Sequence, residues 1–339
     1  MKRKKTYLIS ALACLAVVPG IIAYYLFSGV TKHNATEYLY IDDDDNLDSV
    51  SVKLEPLITA QGITAIRTLS RHLGYAENIR SGRYAVEPAM CAMTLFRNIR
   101  NGHQSPLQLT IPSVRTTDRL AEELDKRLMI SRNDIYHALQ DPAVCSQFSL
   151  DTTTIISMFI PNTYEVYWNI TLEKFLEKMK AESDRFWQGK RLEQAKVLDM
   201  SPVEVITLAS IVDEETANNS EKPMIAGMYY NRLRQNMPLQ ADPTIKFALQ
   251  DFGLRRIYRK LLMVNSPYNT YRNTGLPPGP IRIPSVAGID AVLNMAKHDY
   301  LYMCAKEDFS GTHNFARTYA EHLQNAERYT KALDARGIK

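Results

Sequence analysis

The sequence predicts an α+β protein behind an N-terminal apolar span. Three observations carry this. Tyr7 to Phe27 is a run of 21 residues without a charge. Beyond it, apolar residues alternate in short runs, the signature of short strands. Between those runs they return at helical spacing behind Ser, Thr or Asp caps. The 339 residues suffice for a membrane segment and two modest domains. A hydrophobic content of 45% and a charged content of 23% suit a folded chain.

The apolar run is long enough to cross a bilayer. Lys2, Arg3, Lys4 and Lys5 precede it, so the positive-inside rule puts the N-terminus in the cytoplasm and the bulk outside. Tyr24 and Tyr25 fit an interfacial belt. A cleaved signal peptide has a shorter apolar region. Cys14 after Ala-Leu-Ala is a poor lipid-attachment site. The expected layout is a cytoplasmic tail (1–6), a transmembrane helix (7–27), a linker (28–49), a small α+β module (50–150) and a second α+β domain (151–339). The net charge of +4 is the four basic residues at the start; the remaining 37 basic residues balance 37 acidic ones. A duplex-binding surface would need a basic excess on the folded part, so nucleic acid is excluded as a partner.

Taken in order, Thr31 to Asp48 reads as a solvated linker, because it holds Asp42-Asp43-Asp44-Asp45. Val50 to Leu54 alternates as a strand would. Ile63 to Leu73 is helical, with Gly74 as its stop. Arg83 to Val86 is a short strand. Pro88 opens a helix that turns Met93, Phe96 and Ile99 inward and ends near Gly102. Leu107, Leu109 and Ile111 alternate as a strand. Thr117 or Asp118 caps a helix carrying Leu120, Leu124 and Leu128 on one face. Ser131 with Asp134 starts another, running through Leu139. Phe159 to Val166 is a proline turn, and Leu172 to Trp187 a long amphipathic helix. After Ser220 a helix passes Met224, Met228 and Tyr229 to Leu233. Tyr300 to Met303 is a strand, and Thr318 to Ala335 a closing helix.

The remaining helix organises the second domain. Ser201 is an N-cap, Pro202 suits the first helical position, and Glu204 completes a capping box. Leu208, Ile211 and Val212 form an apolar stripe. Glu215 extends it, lying seven, four and three residues further on, while Glu214 points elsewhere. A carboxyl on an apolar face is desolvated, and its pKa rises toward that of a usable proton donor. The helix alone leaves a second reading open, in which it ends here and Glu215 is frayed surface.

The common catalytic signatures are missing: no GxGxxG, P-loop, GxSxG or HExxH. The histidines show no metal spacing, with His313 and His322 nine apart. No cofactor is expected. Cys91, Cys145 and Cys304 form no metal set and no even framework; they read as small buried hydrophobes, with a disulfide between two of them left open. What remains is Glu215, 19 tyrosines and several rigid polar loops. Such loops carry sites on a scaffold. In one, Tyr268 and Tyr271 bracket Asn269.

LASIVDEET, YYNRL, MPLQADPT, SPYNTY, GLPPGPI, YLYM and then H-x-F with a later His stand in this order between Ile160 and Tyr329. In order and spacing they resemble the YceG-like family of endolytic murein transglycosylases. The resemblance implies an α+β enzyme outside the cytoplasm that cuts the glycan strands of peptidoglycan. It implies no cofactor or metal, and peptidoglycan synthases as partners. Residues 50–150 resemble the family's LysM-like region less closely, through SGRY and the strand and helix after it. The family's catalytic glutamate falls on Glu215. Asn231, Arg232, Gln240, Asp242, Tyr268, Asn269, Tyr271 and His313 match motif positions expected around the cleft. His322 is a weaker candidate, because Leu323 stands where the family often has asparagine. Asp213 and Glu214 depart from the family's glutamate and lysine. That departure supports a rival reading, a non-catalytic glycan-binding scaffold of the wall-building machinery.

On the enzymatic reading Glu215 is general acid to the glycosidic oxygen and then general base. Hydrolysis would need a second placed carboxylate, for which Asp242 is the motif candidate. Without one, the C6 hydroxyl of the N-acetylmuramoyl residue can attack its own C1. The attack is intramolecular and profits from a high effective molarity. The expected strand ends are 1,6-anhydro-N-acetylmuramic acid.

Overall fold

A computed structural model of the chain describes residues 17–254 and 256–337. It is a mixed α+β fold, divided into two compact units. The first comprises residues up to Leu109 with Arg127–Ile130 and Glu165–Thr171; the second takes the rest. The boundary expected at residue 150 thus falls inside the second unit.

The first helix, α1, is described over residues 17–27. Val17, Val18, Ile21, Ile22, Tyr24 and Phe27 are exposed along it. Residues 7–16 of the expected span lie outside the described residues. Among the described residues, no helix is long and apolar enough to cross a membrane.

The first unit is built on an antiparallel pair, β1 (Glu37–Ile41) with α2 (Leu47–Leu54) and α3 (Ala60–His72) before its partner β2 (Gly82–Val86). Two expectations are corrected here. The stretch read as linker holds β1, whose Leu39 and Ile41 are buried. The stretch Val50 to Leu54 read as a strand is the end of α2. Alternation misled because Val50 and Leu54 also stand four apart, and both are buried on one helical face. The deciding signal lies upstream, where Asn46 and Ser49 form a reciprocal capping box. The aspartate run is a turn between β1 and α2, and Lys53 bridges Asp42 and Asp45. α4 (Ala92–Asn101) starts after Cys91 and not at Pro88. It packs Leu95, Phe96 and Ile99 into the core and closes on Gly102 in the left-handed region, φ 72°. β3 (Leu107–Thr110) follows and is hydrogen-bonded to a later strand, β4 (Thr163–Val166), in the segment read as a turn.

In the second unit α5 (Thr117–Asp125), α6 (Arg132–Gln140) and α7 (Pro142–Gln147) come first; the cap of α5 is Thr116. Then come α8 (Leu172–Phe186), α9 (Lys190–Val197), α10 (Pro202–Glu215), α11 (Lys222–Arg234), α12 (Asp242–Leu249) and α13 (Val286–Leu293). β5 (Tyr302–Ala305) and β6 (His313–Ala316) form an antiparallel pair, and α14 (Tyr319–Ala335) closes the chain. Every residue of α10 from Val205 to Val212 is buried. A helix apolar on all sides belongs in a core, not at a surface. Leu208, Ile211 and Val212 sit there with Ile225, Met228, Tyr229, Ile289 and Val292 of α11 and α13. Trimming Leu208 or Ile211 to alanine would cost about 2–5 kcal/mol at such a site. Among the described cysteines, Cys91, Cys145 and Cys304 are free thiols.

Candidate active site

α10 delivers three acids in a row to the edge of this core, and the packing gives each a different fate. Asp213 pairs with Lys222 Nζ at 2.8 Å, both side chains at most 6% exposed. Its other contacts are the backbone amide of Ser285 at 2.6 Å and the Ser285 hydroxyl at 3.2 Å, where α13 begins. The approach is so close that a Cβ on Gly288 would lie 2.4 Å from Asp213 Oδ1, which is why a glycine stands there. Glu214 is held by both arms of Arg115, at 2.8 and 2.9 Å, and by Arg282 at 2.9 Å. Glu215 has no cationic partner among the described residues. Its Oε1 accepts a 2.6 Å hydrogen bond from Tyr229 Oη. The helix ends at Glu215, but not in a frayed turn: Thr216 behind it is buried.

The stripe of the sequence reading is therefore only part of the reason Glu215 stands apart. All faces of α10 are buried, so spacing alone does not choose among the acids. The partners choose. Cations neutralise Asp213 and Glu214, whereas burial pushes the Glu215 carboxyl up to about 7, against the Tyr229 hydrogen bond that lowers it. The negative charge of Asp242 raises it further. Burial, and then Glu215 itself, push the Tyr229 phenol well above its ordinary value, so it remains a donor.

Glu215 opens on a cavity of about 380 Å³. Of the residues expected around a cleft, Arg232, Gln240, Asp242, Tyr271 and His313 line it with Glu215. The loop from Met237 to Ala241 is fixed from behind. Arg232 Nη1 donates to the carbonyls of Pro238 (3.0 Å) and Leu239 (2.7 Å), and its Nε to that of Leu301 (2.6 Å). Gln240 takes the left-handed conformation, φ 53°, unusual for a side-chain-bearing residue and a mark of strain at a working surface. Asp242 Oδ1 accepts from Tyr271 Oη at 2.5 Å. His313 is tied to Glu221, through its amide at 2.6 Å and through Nδ1 at 3.0 Å.

Asn231, Tyr268 and Asn269, expected at the cleft, lie outside its lining. Asn231 donates to the carbonyls of His298 (2.7 Å) and Tyr300 (3.1 Å), holding the approach to β5. Asn269 is fully buried; it donates to the carbonyls of Leu262 and Val264 and accepts from the amide of Tyr271. It sets the loop that presents Tyr271. Tyr268 packs on Phe247 with ring centres 4.7 Å apart. The two asparagine side chains serve backbone shape.

Of the aromatic wall, sequence reasoning named only His322, as a weaker candidate, and missed Tyr302 and Tyr319. Tyr302 on β5 stacks on His322 of α14 at 5.5 Å, and Tyr319 stands 5.8 Å from Tyr302. All three line the cavity. Tyr319 and His322 are three apart in sequence and so share a helix face, a signal the sequence did contain. It also missed Tyr229, named only as part of its helix, and Glu221. Among the described residues, no group of three His, Cys, Asp or Glu side chains is placed to hold a metal ion.

Fold and site together define an α+β protein built around a buried helix that ends in a protonatable carboxyl beneath an aromatic-walled cavity. The chain belongs to the YceG-like family, whose model matches residues 39–328. It is 27% identical over 270 residues to an endolytic murein transglycosylase of Bacillus subtilis (strain 168), covering 75% of this chain and 74% of that protein. It is 25% identical over 365 residues to an endolytic murein transglycosylase of Streptococcus pneumoniae serotype 2 (strain D39 / NCTC 7466), covering 97% of this chain and 66% of that protein. The crystal structure of a YceG-like protein of Listeria monocytogenes matches with a TM-score of 0.56 at 26% identity, over 86% of this chain and 99% of that one.

Proposed function

We propose that this protein is an endolytic murein transglycosylase: it cleaves peptidoglycan glycan strands internally and leaves 1,6-anhydro-N-acetylmuramoyl ends. One observation carries the reading. Of three adjacent acids, only Glu215 lacks a cation, and burial holds it protonated near neutral pH at the base of a cavity. Tyr229 fixes Oε1, and among the described residues no protein group bonds Oε2, which is left to meet a bridging oxygen. The aromatic wall of Tyr302, Tyr319 and His322 offers apolar faces against which sugar rings pack. Glu215 protonates the leaving oxygen, charge develops at C1, and the C6 hydroxyl of the same sugar closes on it.

The scaffold reading loses its support here. It rested on Asp213 and Glu214 departing from the family pattern. Glu214, where the family has lysine, meets Arg115 and Arg282, so the local charge balance is kept. A hydrolase stays in contention on one ground, that Asp242 lines the same cavity as Glu215. Digestion of purified sacculi in ¹⁸O-labelled water separates the two. Anhydro ends without label are expected; labelled reducing ends would overturn the transglycosylase reading.

The same reading makes Tyr7 to Phe27 a single-pass anchor in the cytoplasmic membrane, with the enzyme outside. The basic residues before the span and the exposed apolar side chains on residues 17–27 support this. A reporter active only outside the cytoplasm should work when fused after Lys339; activity solely of a cytoplasmic reporter would sink the topology. Residues 50–150 serve in this reading as a LysM-like module that holds glycan. Peptidoglycan synthases are the expected partners, because their product is its substrate.

A further inference from the structure

Glu221 precedes the first residue of α11, where an acid commonly bonds the free amides of a helix start. Its side chain makes no such bond. The carboxylate is buried instead, the residue 8% exposed, and both oxygens go to one residue far along the chain. Oε1 accepts from the amide of His313 at 2.6 Å, and Oε2 meets His313 Nδ1 at 3.0 Å. An ionised carboxylate only accepts, so the proton of this contact belongs to Nδ1. In the neutral ring Nε2 is then bare, with a lone pair to offer. Among the described residues, Nε2 has no protein hydrogen-bond partner, and His313 lines the cavity that holds Glu215.

We propose that His313 is the base of the cleavage and that Glu221 is the positioning residue that prepares it. This rests on the transglycosylase reading above and divides the proton transfers between two groups. Glu215 gives its proton to the bridging oxygen as the bond from C1 to that oxygen breaks. The C6 oxygen forms its bond to C1, and its proton passes to His313 Nε2. Glu215 is then a carboxylate and His313 an imidazolium held by Glu221. Return of one proton from His313 to Glu215 resets the site, with no net gain or loss. With a single group the two transfers must follow one another. With two they fit one transition state. The charge on His313 also favours the ionised form of Glu215 that cleavage leaves behind.

The test combines kinetics with a spectroscopic signature. Nitrogen-15 NMR of the wild-type protein should show neutral His313 as the Nδ1-protonated tautomer. Glu221→Gln should abolish that preference and lower kcat about 10²-fold, the usual order for general base catalysis, with KM within about twofold and anhydro ends still formed. Glu221→Asp should recover part of the rate. Glu221→Gln combined with His313→Gln should be no slower than His313→Gln alone, because Glu221 acts through His313. An Nε2-protonated tautomer in the wild type would overturn the proposal, even if no variant folds. So would full activity of His313→Gln, or losses that add in the double variant. Labelled reducing ends would instead strike the transglycosylase reading, a different result from any of these.

Discussion

Tyr229 Oη, on α11, lies 2.6 Å from Glu215 Oε1 at the end of α10 and donates to it. The bond opposes burial. It favours the ionised carboxylate, while the apolar surroundings favour the acid and prevail, leaving the carboxyl at about 7. Activity needs the protonated form, so kcat should fall as pH rises through about 7. The same shift bears on stability. The folded state holds this proton between the ordinary value of 4.5 and about 7, where the unfolded chain has lost it, so stability falls as pH rises across that window. Glu215→Gln should abolish cleavage by about 10²-fold or more. At pH 8 it should also raise the free energy of unfolding, by on the order of 1–3 kcal/mol. A variant that loses both activity and stability would show that Glu215 is there for the fold.

Tyr229→Phe isolates the hydrogen bond. Without it the carboxyl loses the contact that favours ionisation, so its pKa rises. The alkaline limb of the rate profile should move to higher pH. The rate at the pH optimum should fall about tenfold, within the reach of one lost hydrogen bond to a charged group. A limb that moved to lower pH would contradict the assignment of the limb to Glu215.

Much of this site could be read in the chain, and its failures have local causes. Ser201 with Glu204 and Thr318 with Glu321 are short-range signals, and both helices start where those caps say. Val50 to Leu54 failed because five residues satisfy both periods, and the cap at Asn46 outweighs them. Asn231 and Asn269 are expected at the cleft because they match family motif positions, and they lie outside the lining of the cavity. Their partners are backbone carbonyls distant in sequence, which no pattern in one chain displays. Glu221 and His313 stand 92 residues apart, and only the fold joins them. The fate of the acid triplet is of the same kind. Arg115 comes from before α5, Lys222 from α11 and Arg282 from the proline-rich loop.

Those partners make the acids separable by mutation. Asp213→Asn leaves Lys222 buried without its counter-charge, a change that typically costs about 3–5 kcal/mol. Glu214→Gln loosens Arg115 and Arg282, which retain more contact with water, and should cost about 1–2 kcal/mol. Neither side chain bonds Glu215; the charge of Glu214 helps raise the Glu215 pKa, so Glu214→Gln should move the alkaline limb slightly down without removing the acid. Urea unfolding should therefore rank Asp213→Asn well below Glu214→Gln in stability. The folded fraction of each should keep kcat within about tenfold of the wild type. A Glu214→Gln protein that is fully folded and dead would move the catalytic assignment by one residue.

Arg232→Lys tests how the cavity wall is held. The guanidinium is buried, and its planar fork reaches three carbonyls on two segments, Pro238 and Leu239 before α12 and Leu301 before β5. An ammonium is a single point at the end of a flexible stem and cannot span the same three acceptors. At least one carbonyl is left buried without a donor, at about 1–3 kcal/mol each, so a loss of about 2–4 kcal/mol is expected by urea unfolding. Function should suffer beyond that. Gln240 is held in its left-handed conformation between the hydrogen bond its amide donates to the Thr270 carbonyl and the 3.3 Å bond its Oε1 accepts from Arg232. Released from Arg232, it can relax to an ordinary conformation, and the wall carrying Gln240 and Asp242 shifts with it. KM for glycan strands should rise several-fold at a temperature where the variant is fully folded, while the pH limb set by Glu215 stays in place. Unchanged KM together with a displaced limb would mean that Arg232 acts on the acid and not on the wall.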